Sequence, residues 1–145
     1  MNTVSTKIVD YENKKELENI EQYIKIKKIE IPEFENFIKK EKEDSNIINE
    51  CLIEEKNGII NNICFFNGTK DIGLIELEVA NQSKSFLKKA TEVAFDTFSA
   101  KTVTIFSDKE SKEIESVGFE SLGDYDGKTT YIMEDFKETM IGRRK

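Results

Sequence analysis

Two glutamates alternate within an apolar run, DIGLIELEV, at residues 71–79. Because successive side chains of a β-strand point to opposite faces, Glu76 and Glu78 share one face if this run is a strand. A carboxylate that is partly shielded from water can serve as a general base near neutral pH. Two solvated or ion-paired carboxylates on a sheet surface would show the same spacing, so the sequence leaves both interpretations open.

A polar stretch, Asn81-Gln82-Ser83-Lys84-Ser85, separates this run from a segment with helical periodicity. The first turn of a helix has unpaired backbone N–H groups and the positive end of the helix dipole, and both attract phosphate groups. Lys84, with the hydroxyls of Ser83 and Ser85, could add charge and hydrogen bonds to such a site. The alternative is an ordinary helix start, capped by Asn81 or Ser83, with Lys84 in water.

Histidine is absent and only two cysteines occur, which excludes several kinds of site. Without imidazole there is no Ser-His or Cys-His nucleophile and no His-ligated metal, and two thiols are too few for a four-thiolate zinc site. We therefore expect the protein to bind no metal. If Asn57-Gly58 forms a two-residue turn, counting outward puts Cys51 opposite Cys64, close enough to oxidise, although the cytoplasm would keep both thiols reduced.

Length and charge limit the class of protein and its partners. The chain has 145 residues, which suits a single domain over 1–145, and a formal net charge of −7. An acidic surface repels phosphate backbones and anionic lipids, which argues against nucleic acid and membrane partners. No apolar run approaches the ~18 residues of a membrane span, and Asp10, Glu12 and Glu16 stand where a signal peptide would be apolar. We expect a cytoplasmic protein with a short polar tail at 136–145.

The N-terminal part of the chain is typical of a short strand at 6–10 followed by two helices. Asn13 and Glu16 have the spacing of a capping box, which begins a helix. Pro32 suits the first turn of the second helix, which we expect to end at 44–46. The apolar residues that repeat along these helices, and that we expect to face inward, are Leu17, Ile20 and Ile24 in the first and Phe34, Phe37 and Ile38 in the second.

Two Asn-Gly pairs, Asn57-Gly58 and Asn67-Gly68, lie between strand-like runs. Asn-Gly supplies the two positive φ angles of a type I′ turn, so these pairs predict an antiparallel meander of strands at 50–56, 59–66 and 71–79. A strand at 101–106 follows the next helix. A helix between two strands that run in one direction forms a right-handed crossover, so this strand should be parallel to 71–79.

The helix that begins near Ser83 and extends to about residue 99 has one broad apolar stripe. The stripe comprises Phe86, Leu87, Ala90, Val93, Ala94, Thr97 and Phe98, whereas Lys88, Lys89, Glu92 and Asp96 should be exposed. Ser107 and Glu110 have capping-box spacing for a short helix that ends near Val117. The runs GFESLG and KTTYIMED then predict a closing antiparallel pair around Asp126-Gly127.

The resulting order, β-α-α-β-β-β-α-β-α-β-β, with VGFESLG after a strand and TTYIMED at the end, resembles the GNAT superfamily of N-acetyltransferases over nearly the whole chain. The resemblance implies an α/β (α+β) fold with a mixed central sheet. It also implies binding of acetyl-CoA, whose pyrophosphate in that family contacts a glycine-rich loop, Gln/Arg-x-x-Gly-x-Gly/Ala, at the start of a helix.

The chain departs from the family pattern in its cofactor-binding elements. The matching segment, EVANQSKS, contains no glycine, and Asn81 and Ser83 stand at the last two glycine positions. Ser107 corresponds to an asparagine of the family, and Ile114 to the tyrosine that protonates the CoA thiolate. Tyr125 could replace that tyrosine from a loop, although a tyrosine on a surface turn is the alternative.

The resemblance implies a divergent acyl-CoA N-acyltransferase that transfers an acetyl group to a small-molecule or peptide amine, with Glu76 or Glu78 as the base. The implied cofactor-binding residues are Val79, Asn81, Gln82, Ser83, Lys84, Ser85 and Ser107. Because close approach of a phosphate to the backbone favours glycine, we expect side chains of 80–85 to fill or narrow that site. The alternatives are a non-catalytic binding or regulatory module, monomeric or homodimeric in either case, and an unrelated α+β interaction domain.

Overall fold

The chain folds into one mixed sheet with helices on both faces, as seen in a computed structural model that describes residues 4–10, 12–31, 33–38 and 46–134. The element order, β-α-α-β-β-β-α-β-α-β-β, is the predicted one. The elements are β1 (Val4–Ile8), α1 (Lys14–Lys27), α2 (Glu33–Ile38), β2 (Ile47–Lys56), β3 (Ile59–Thr69), β4 (Leu74–Val79), α3 (Lys84–Asp96), β5 (Thr102–Ser107), α4 (Lys112–Val117), β6 (Glu120–Tyr125) and β7 (Lys128–Glu134).

The seven described strands follow the spatial order β1-β2-β3-β4-β5-β7-β6. Neighbouring strands of this sheet are antiparallel except β4 and β5, which are parallel and are joined through α3. The prediction that the strand after the long helix runs parallel to the third strand of the meander is therefore confirmed. A helix that connects two parallel strands must cross one face of the sheet, and this places α3 over β3, β4 and β5.

Each face of the sheet has its own apolar core. On one face, α3 and α4 pack on Ile75, Leu77, Val103 and Ile105, all nearly inaccessible to solvent. On the other face, α1 and α2 pack on β2 and β3, and the rings of Phe34 and Phe37 meet Phe65 edge-on at 6.3 and 5.9 Å. Burial on both faces explains why β3 contains a continuous apolar run instead of an alternating one.

Helix α1 begins as predicted, but its capping box is only half formed. The Asn13 side chain accepts a hydrogen bond from the Glu16 amide at 3.2 Å. The Asn13 amide donates to the Asp10 carbonyl at 2.9 Å in place of the Glu16 carboxylate, which forms an ion pair with Lys7 at 3.2 Å. Ile20 is fully buried, and Leu17 and Ile24 pack against the same core, so the predicted inward face is confirmed.

Helix α3 has the predicted two-sided character. Its buried residues are Phe86, Leu87, Ala90, Thr91, Val93 and Ala94, and the residues expected in water, Lys88, Lys89, Glu92 and Asp96, are exposed. Phe98 follows the helix, is partly buried and contacts the ring of Phe66 at 5.1 Å. The prediction was wrong for Thr97, which is exposed because the helix ends at Asp96 and Thr97 is its C-cap.

The first Asn-Gly turn is confirmed and the second is wrong. Asn57 and Gly58 have φ angles of 55° and 80° and join β2 to β3. Asn67 and Gly68 instead belong to β3, which continues to Thr69, and the chain turns at 70–73. A Cβ atom at position 68 would collide with the main-chain carbonyl of Leu74, so this glycine permits close strand approach and does not form a turn.

The predicted pairing of the two cysteines is also wrong. Lys56 pairs with Ile59 as expected, but a bulge at Asn61 shifts the register between Glu54 and Glu55. Cys51 therefore lies opposite Phe65, and Cys64 lies opposite Leu52. Because a shift of one residue moves every side chain to the other face, the two thiols lie in different cores and cannot form a disulfide with each other in this fold.

Several element boundaries differ from the predictions. The first strand is Val4–Ile8, where 6–10 was expected. Ser107 is the last residue of β5 and does not begin a helix; Ser111 caps α4, its Oγ accepting a hydrogen bond from the Ile114 amide at 3.3 Å. The Asp126-Gly127 turn is confirmed, with φ angles of 53° and 80°. Pro32, the expected helix end at 44–45 and the tail at 136–145 lie outside the described residues.

Candidate active site

The parallel strands β4 and β5 separate at their carboxyl ends. Their pairing runs from Leu74 with Thr102 to Leu77 with Ile105. Beyond that point β4 remains bonded to β3, and β5 remains bonded to β7. The separation opens a cleft of about 660 Å³ lined by Ile29, Glu30, Ile31, Glu33, Glu78, Val79, Ala80, Asn81, Gln82, Phe106, Ser107, Asp108 and Lys128. Ligands of α/β sheets commonly bind at such a position.

Asn62 fixes the segment after β4 to β3. Its Oδ1 accepts hydrogen bonds from the amides of Ile63 and Asn81 at 2.9 and 3.0 Å, and its Nδ2 donates to the Asn81 carbonyl at 2.8 Å. Asn62 is 2% exposed, so these bonds satisfy a buried amide. Sequence analysis missed this residue, although an asparagine inside an apolar strand is itself a signal of a specific buried contact.

Glu78 places a carboxylate in the cleft. Burial, with a smaller contribution from the nearby carboxylates of Glu33 and Glu76, raises its pKa to about 7 against an opposing effect of Lys128. A carboxyl group with a pKa near 7 is present in both protonation states at neutral pH. Glu78 can therefore accept a proton from a ligand and release it again.

Glu76 lies on the same face of β4 as Glu78, opposite Ile75 and Leu77, as the alternation predicts. It is not among the residues that line the cleft. Its pKa is raised by burial and by the charge of Glu33, and its own charge raises the pKa of Glu78. The structure thus distinguishes Glu78, which lines the cleft, from Glu76, which does not, whereas the sequence pattern predicts the same role for both.

Sequence analysis missed the other charged groups of the cleft. Glu33, the first residue of α2, lines it, and its buried Oε2 has no hydrogen-bond partner within the described ranges. Glu30, Asp108 and Lys128 come from three further segments. Four carboxylates face one ammonium group among the lining residues, so the cleft favours a cationic ligand. No local sequence pattern could indicate this cluster of charged residues, because distant parts of the chain contribute to it.

The predicted phosphate-binding stretch is only partly available to a ligand. The Asn81 amide is bonded to Asn62, and the Ser83 amide to the Asn81 carbonyl at 2.9 Å. Ser83 is the N-cap of α3, but its side chain makes no capping bond. In the part of the chain that the structure describes, no group accepts a hydrogen bond from the amides of the first turn, Lys84, Ser85 and Phe86. These three donors remain for an anion.

Gln82 is the residue of 80–85 that reaches across the opening. Its Nε2 donates to Ser107 Oγ at 3.4 Å. The sequence predicts that side chains of 80–85 fill or narrow the site; the cleft is not filled, since it keeps a volume of about 660 Å³, and the Gln82–Ser107 contact narrows it. Ile114 is fully buried in the core, and the Tyr125 side chain lies outside the described residues.

A second depression, of about 680 Å³, lies between α1 and the β2–β3 hairpin. The two glutamates among its lining residues, Glu16 and Glu55, both form ion pairs with Lys7, at 3.2 and 3.0 Å. These charges are already paired with one another, so the cleft at β4 and β5 is the better candidate for chemistry. No group of three or more metal-ligating side chains occurs within the described ranges.

Comparisons with known proteins support the fold. No protein-family model and no curated protein match the sequence. The structure is similar to that of the N-acetyltransferase PseH of Campylobacter jejuni in complex with acetyl coenzyme A, with a TM-score of 0.66, 17% identity, and coverage of 90% of this chain and 99% of that one. It is also similar to the dodecameric spermidine N-acetyltransferase of Vibrio cholerae in its intermediate state, with a TM-score of 0.65, 9% identity and 98% coverage of both chains.

At these identities the likeness establishes the fold alone, which is that of the GNAT N-acetyltransferases. The prediction of a GNAT-like mixed sheet is therefore confirmed. Across the described ranges, no helix has both the length and the apolar character that crossing a membrane would require.

Proposed function

We propose that this chain is an N-acyltransferase that moves an acetyl group from acetyl-CoA to a cationic amine, with Glu78 as the general base. The observation that carries the proposal is the Glu78 carboxylate, which has a pKa of about 7 and lies in the cleft where β4 and β5 separate. The neighbours with this fold are N-acetyltransferases, which supports the reaction class. We also retain the cytoplasm as the proposed location.

Glu78 prepares the acceptor for attack. An amine is protonated at neutral pH and has no lone pair until a base removes a proton. The ionised form of Glu78 takes that proton, directly or through a water molecule, and the amine nitrogen then bonds to the acetyl carbon as the carbon–sulfur bond breaks. Because the pKa of Glu78 is near 7, a large fraction of the protein holds the basic form at physiological pH.

The start of α3 would hold the anionic part of the acetyl donor, which when bound supplies the acetyl group as a thioester. The amides of Lys84, Ser85 and Phe86 are donors for an anion, and the 13-residue helix adds its dipole. The segment has no glycine, and the Asn81 amide is already bonded. We therefore propose that Lys84 and Ser85 act through the main chain and that affinity is lower than a glycine-rich loop would allow.

The thiolate can leave without a tyrosine. The pKa of an ordinary thiol is about 8.5, so a thiolate is an adequate leaving group near neutral pH and can take its proton from water. The cleft is open to solvent, which supplies that proton. The loss of the family tyrosine at Ile114 is thus compatible with activity.

The acceptor follows from the charge of the cleft. Glu30, Glu33 and Asp108 line the same cleft as Glu78, and a ligand with more than one ammonium group could pair with several of them. One structural neighbour acts on spermidine, an amine of this kind. We propose a small polyamine as the first substrate to examine.

A non-catalytic binding module is the second candidate. The contact of Gln82 with Ser107 and the occupied Asn81 amide favour it, because both obstruct an acyl donor. The two candidates differ in whether the protein binds acetyl-CoA and releases CoA thiol.

Thermal unfolding with acetyl-CoA, CoA and spermidine tests the proposal first. Ligand at 100 times its dissociation constant should stabilise the protein by about 2.7 kcal/mol. Thiol release from acetyl-CoA with spermidine should then fall ~100-fold or more in Glu78→Gln and less than ~10-fold in the matched variant Glu76→Gln. No rise in Tm at millimolar acetyl-CoA would reject the enzyme, and binding without thiol release would favour the module.

A further inference from the structure

The Gln82 side chain bridges the two separated strand ends. Its Nε2 donates a hydrogen bond to Ser107 Oγ at 3.4 Å. The Ser107 hydroxyl donates its hydrogen to the Lys109 carbonyl at 2.7 Å, so Oγ can only accept from Gln82. Ser107 is 5% exposed and therefore fixed in place. The bond joins the segment after β4 to the last residue of β5.

Asn62 holds Gln82 in position for this bond. It binds both main-chain groups of Asn81, the residue before Gln82, at 3.0 and 2.8 Å. On the other side, the Ser83 amide closes a tight turn onto the Asn81 carbonyl at 2.9 Å. The backbone on both sides of Gln82 is thus fixed, so the contact with Ser107 can open by rotation of the Gln82 side chain.

The contact stands between two groups that the proposed reaction uses. Along the segment after β4, the residues that line the Glu78 cleft end at Gln82. Ser83, Lys84 and Ser85 do not line it. The free amides of α3 begin beyond it, at Lys84. Gln82 and Ser107 both line the cleft, so their contact lies at its boundary on the side of the segment that leads into α3.

We propose that Gln82 and Ser107 form a latch that closes the path between the Glu78 cleft and the start of α3, and that an acyl-CoA binds only when the latch opens. This inference rests on the proposed function. The latch replaces the role that the sequence suggested for both residues, since their polar groups bond to each other in place of the cofactor.

A closed latch lowers the apparent affinity for the donor, because only the open fraction of the protein can bind it. A neutral hydrogen bond of this kind is modest, so removing it should tighten CoA binding by about three- to tenfold. Loss of the glutamine side chain also widens the passage, which acts in the same direction.

The test measures CoA binding by isothermal titration calorimetry for wild type, Gln82→Ala and Ser107→Ala. Both variants should bind CoA about three- to tenfold more tightly, and the double variant should gain little beyond either one, because they remove the same bond. Gln22→Ala, which truncates an exposed glutamine of the second depression, is the matched control and should bind like wild type. Weaker or unchanged binding by Gln82→Ala would overturn the latch while leaving the proposed function intact.

Nuclear magnetic resonance supplies a measurement that needs no ligand. The side-chain amide signals of Gln82, assigned by their loss in Gln82→Ala, should shift in Ser107→Ala. Unshifted signals would show that the bond is absent and would reject the latch. Shifted signals together with no CoA binding in any variant would reject both the gating role and the proposed function.

Discussion

Glu76 and Glu78 are two residues apart on one face of β4, yet their surroundings differ. Glu78 lines the cleft and has a pKa of about 7, whereas Glu76 is not among the residues that line the cleft. The main cause for Glu78 is burial, and the charges of Glu33 and Glu76 add to it. At the scale of single residues, a carboxylate becomes a base through loss of water and through like charges that other elements bring near it.

Stability should fall as the pH rises through the titration of Glu78. The folded protein holds a proton on this group up to a pKa of about 7, and the unfolded chain releases it near the ordinary value of 4.5. The folded state therefore binds more protons between these values, and the stabilisation is lost across that window. Glu78→Gln should be more stable than wild type at pH 8 by about 1–2 kcal/mol, after allowance for solvent screening, with little difference at pH 4.5.

Urea unfolding at pH 4.5, 6 and 8 measures this difference. Glu92→Gln, a change at an exposed glutamate of α3, is the control and should show the pH dependence of wild type. A Glu78→Gln variant that is less stable than wild type at pH 8 would contradict the buried, proton-binding environment described for Glu78.

At the scale of elements, β3 determines how the sheet is built. Its bulge at Asn61 sets the register with β2, Asn62 holds the chain after β4, and Gly68 allows β4 to approach closely. Three polar or small residues within one apolar strand thus act on both neighbouring strands. The cleft exists because the last residues of β4, Glu78 and Val79, pair with β3 and no longer with β5.

Gly68→Ala should be strongly destabilising. Its Cβ would overlap the main-chain carbonyl of Leu74, and backbone atoms of a neighbouring strand cannot rotate away. We expect a loss of about 2–3 kcal/mol. Gly58→Ala is the control, because its Cβ would meet no atom within 4 Å and only the φ of +80° is unfavourable, for about 1 kcal/mol. Equal losses in chemical denaturation would show that position 68 is not crowded.

Asn62→Ala should remove three hydrogen bonds, which leaves the Asn81 amide without its partner and the Asn81 carbonyl with the Ser83 amide alone. Unpaired buried groups are costly, so the free energy of unfolding should decrease by about 2–4 kcal/mol. The adjacent variant Asn61→Ala removes an exposed side chain and should cost less than about 1 kcal/mol. If the two variants unfold at the same urea concentration, Asn62 does not hold the segment after β4.

At the scale of the whole molecule, one sheet separates two cores. Cys51 belongs to the core under α1 and α2, and Cys64 to the core under α3 and α4. Both thiols are fully buried, and burial raises the pKa of each well above its usual value. Buried, protonated thiols react slowly, so both cysteines act as packing residues.

Thiol titration tests this arrangement. In the native protein neither cysteine should react quickly with a thiol reagent, and after denaturation without reductant both should react, since they are in different cores. Cys51→Ala should leave one reactive thiol in the denatured state. An oxidised sample with no reactive thiol and a mass lower by two hydrogens, as a monomer, would restore the face-to-face pairing that the sequence suggested.

The sequence by itself determined the order and type of the elements and the direction of β5. It also determined the buried side of α1, the buried and exposed sides of α3, and two of the three predicted tight turns. These features depend on local periodicity, caps and Asn-Gly or Asp-Gly geometry, which act over a few residues. The error at the cysteines came from strand pairing, since one bulged residue reverses the face of all residues that follow. The error at Asn67-Gly68 arose because Gly68 permits close approach of β4 and does not form a turn.

Only the tertiary structure decided which glutamate reaches the cleft and what surrounds it. Glu33, Asp108 and Lys128 come from separate elements, and Asn62 and Asn81 meet across 19 positions of sequence. A pKa depends on every charge and every water-excluding group within a few ångströms, whatever their distance along the chain. For this reason the sequence could name Glu78 as a candidate, but its burial, its neighbours and the Gln82–Ser107 contact exist only in the folded chain.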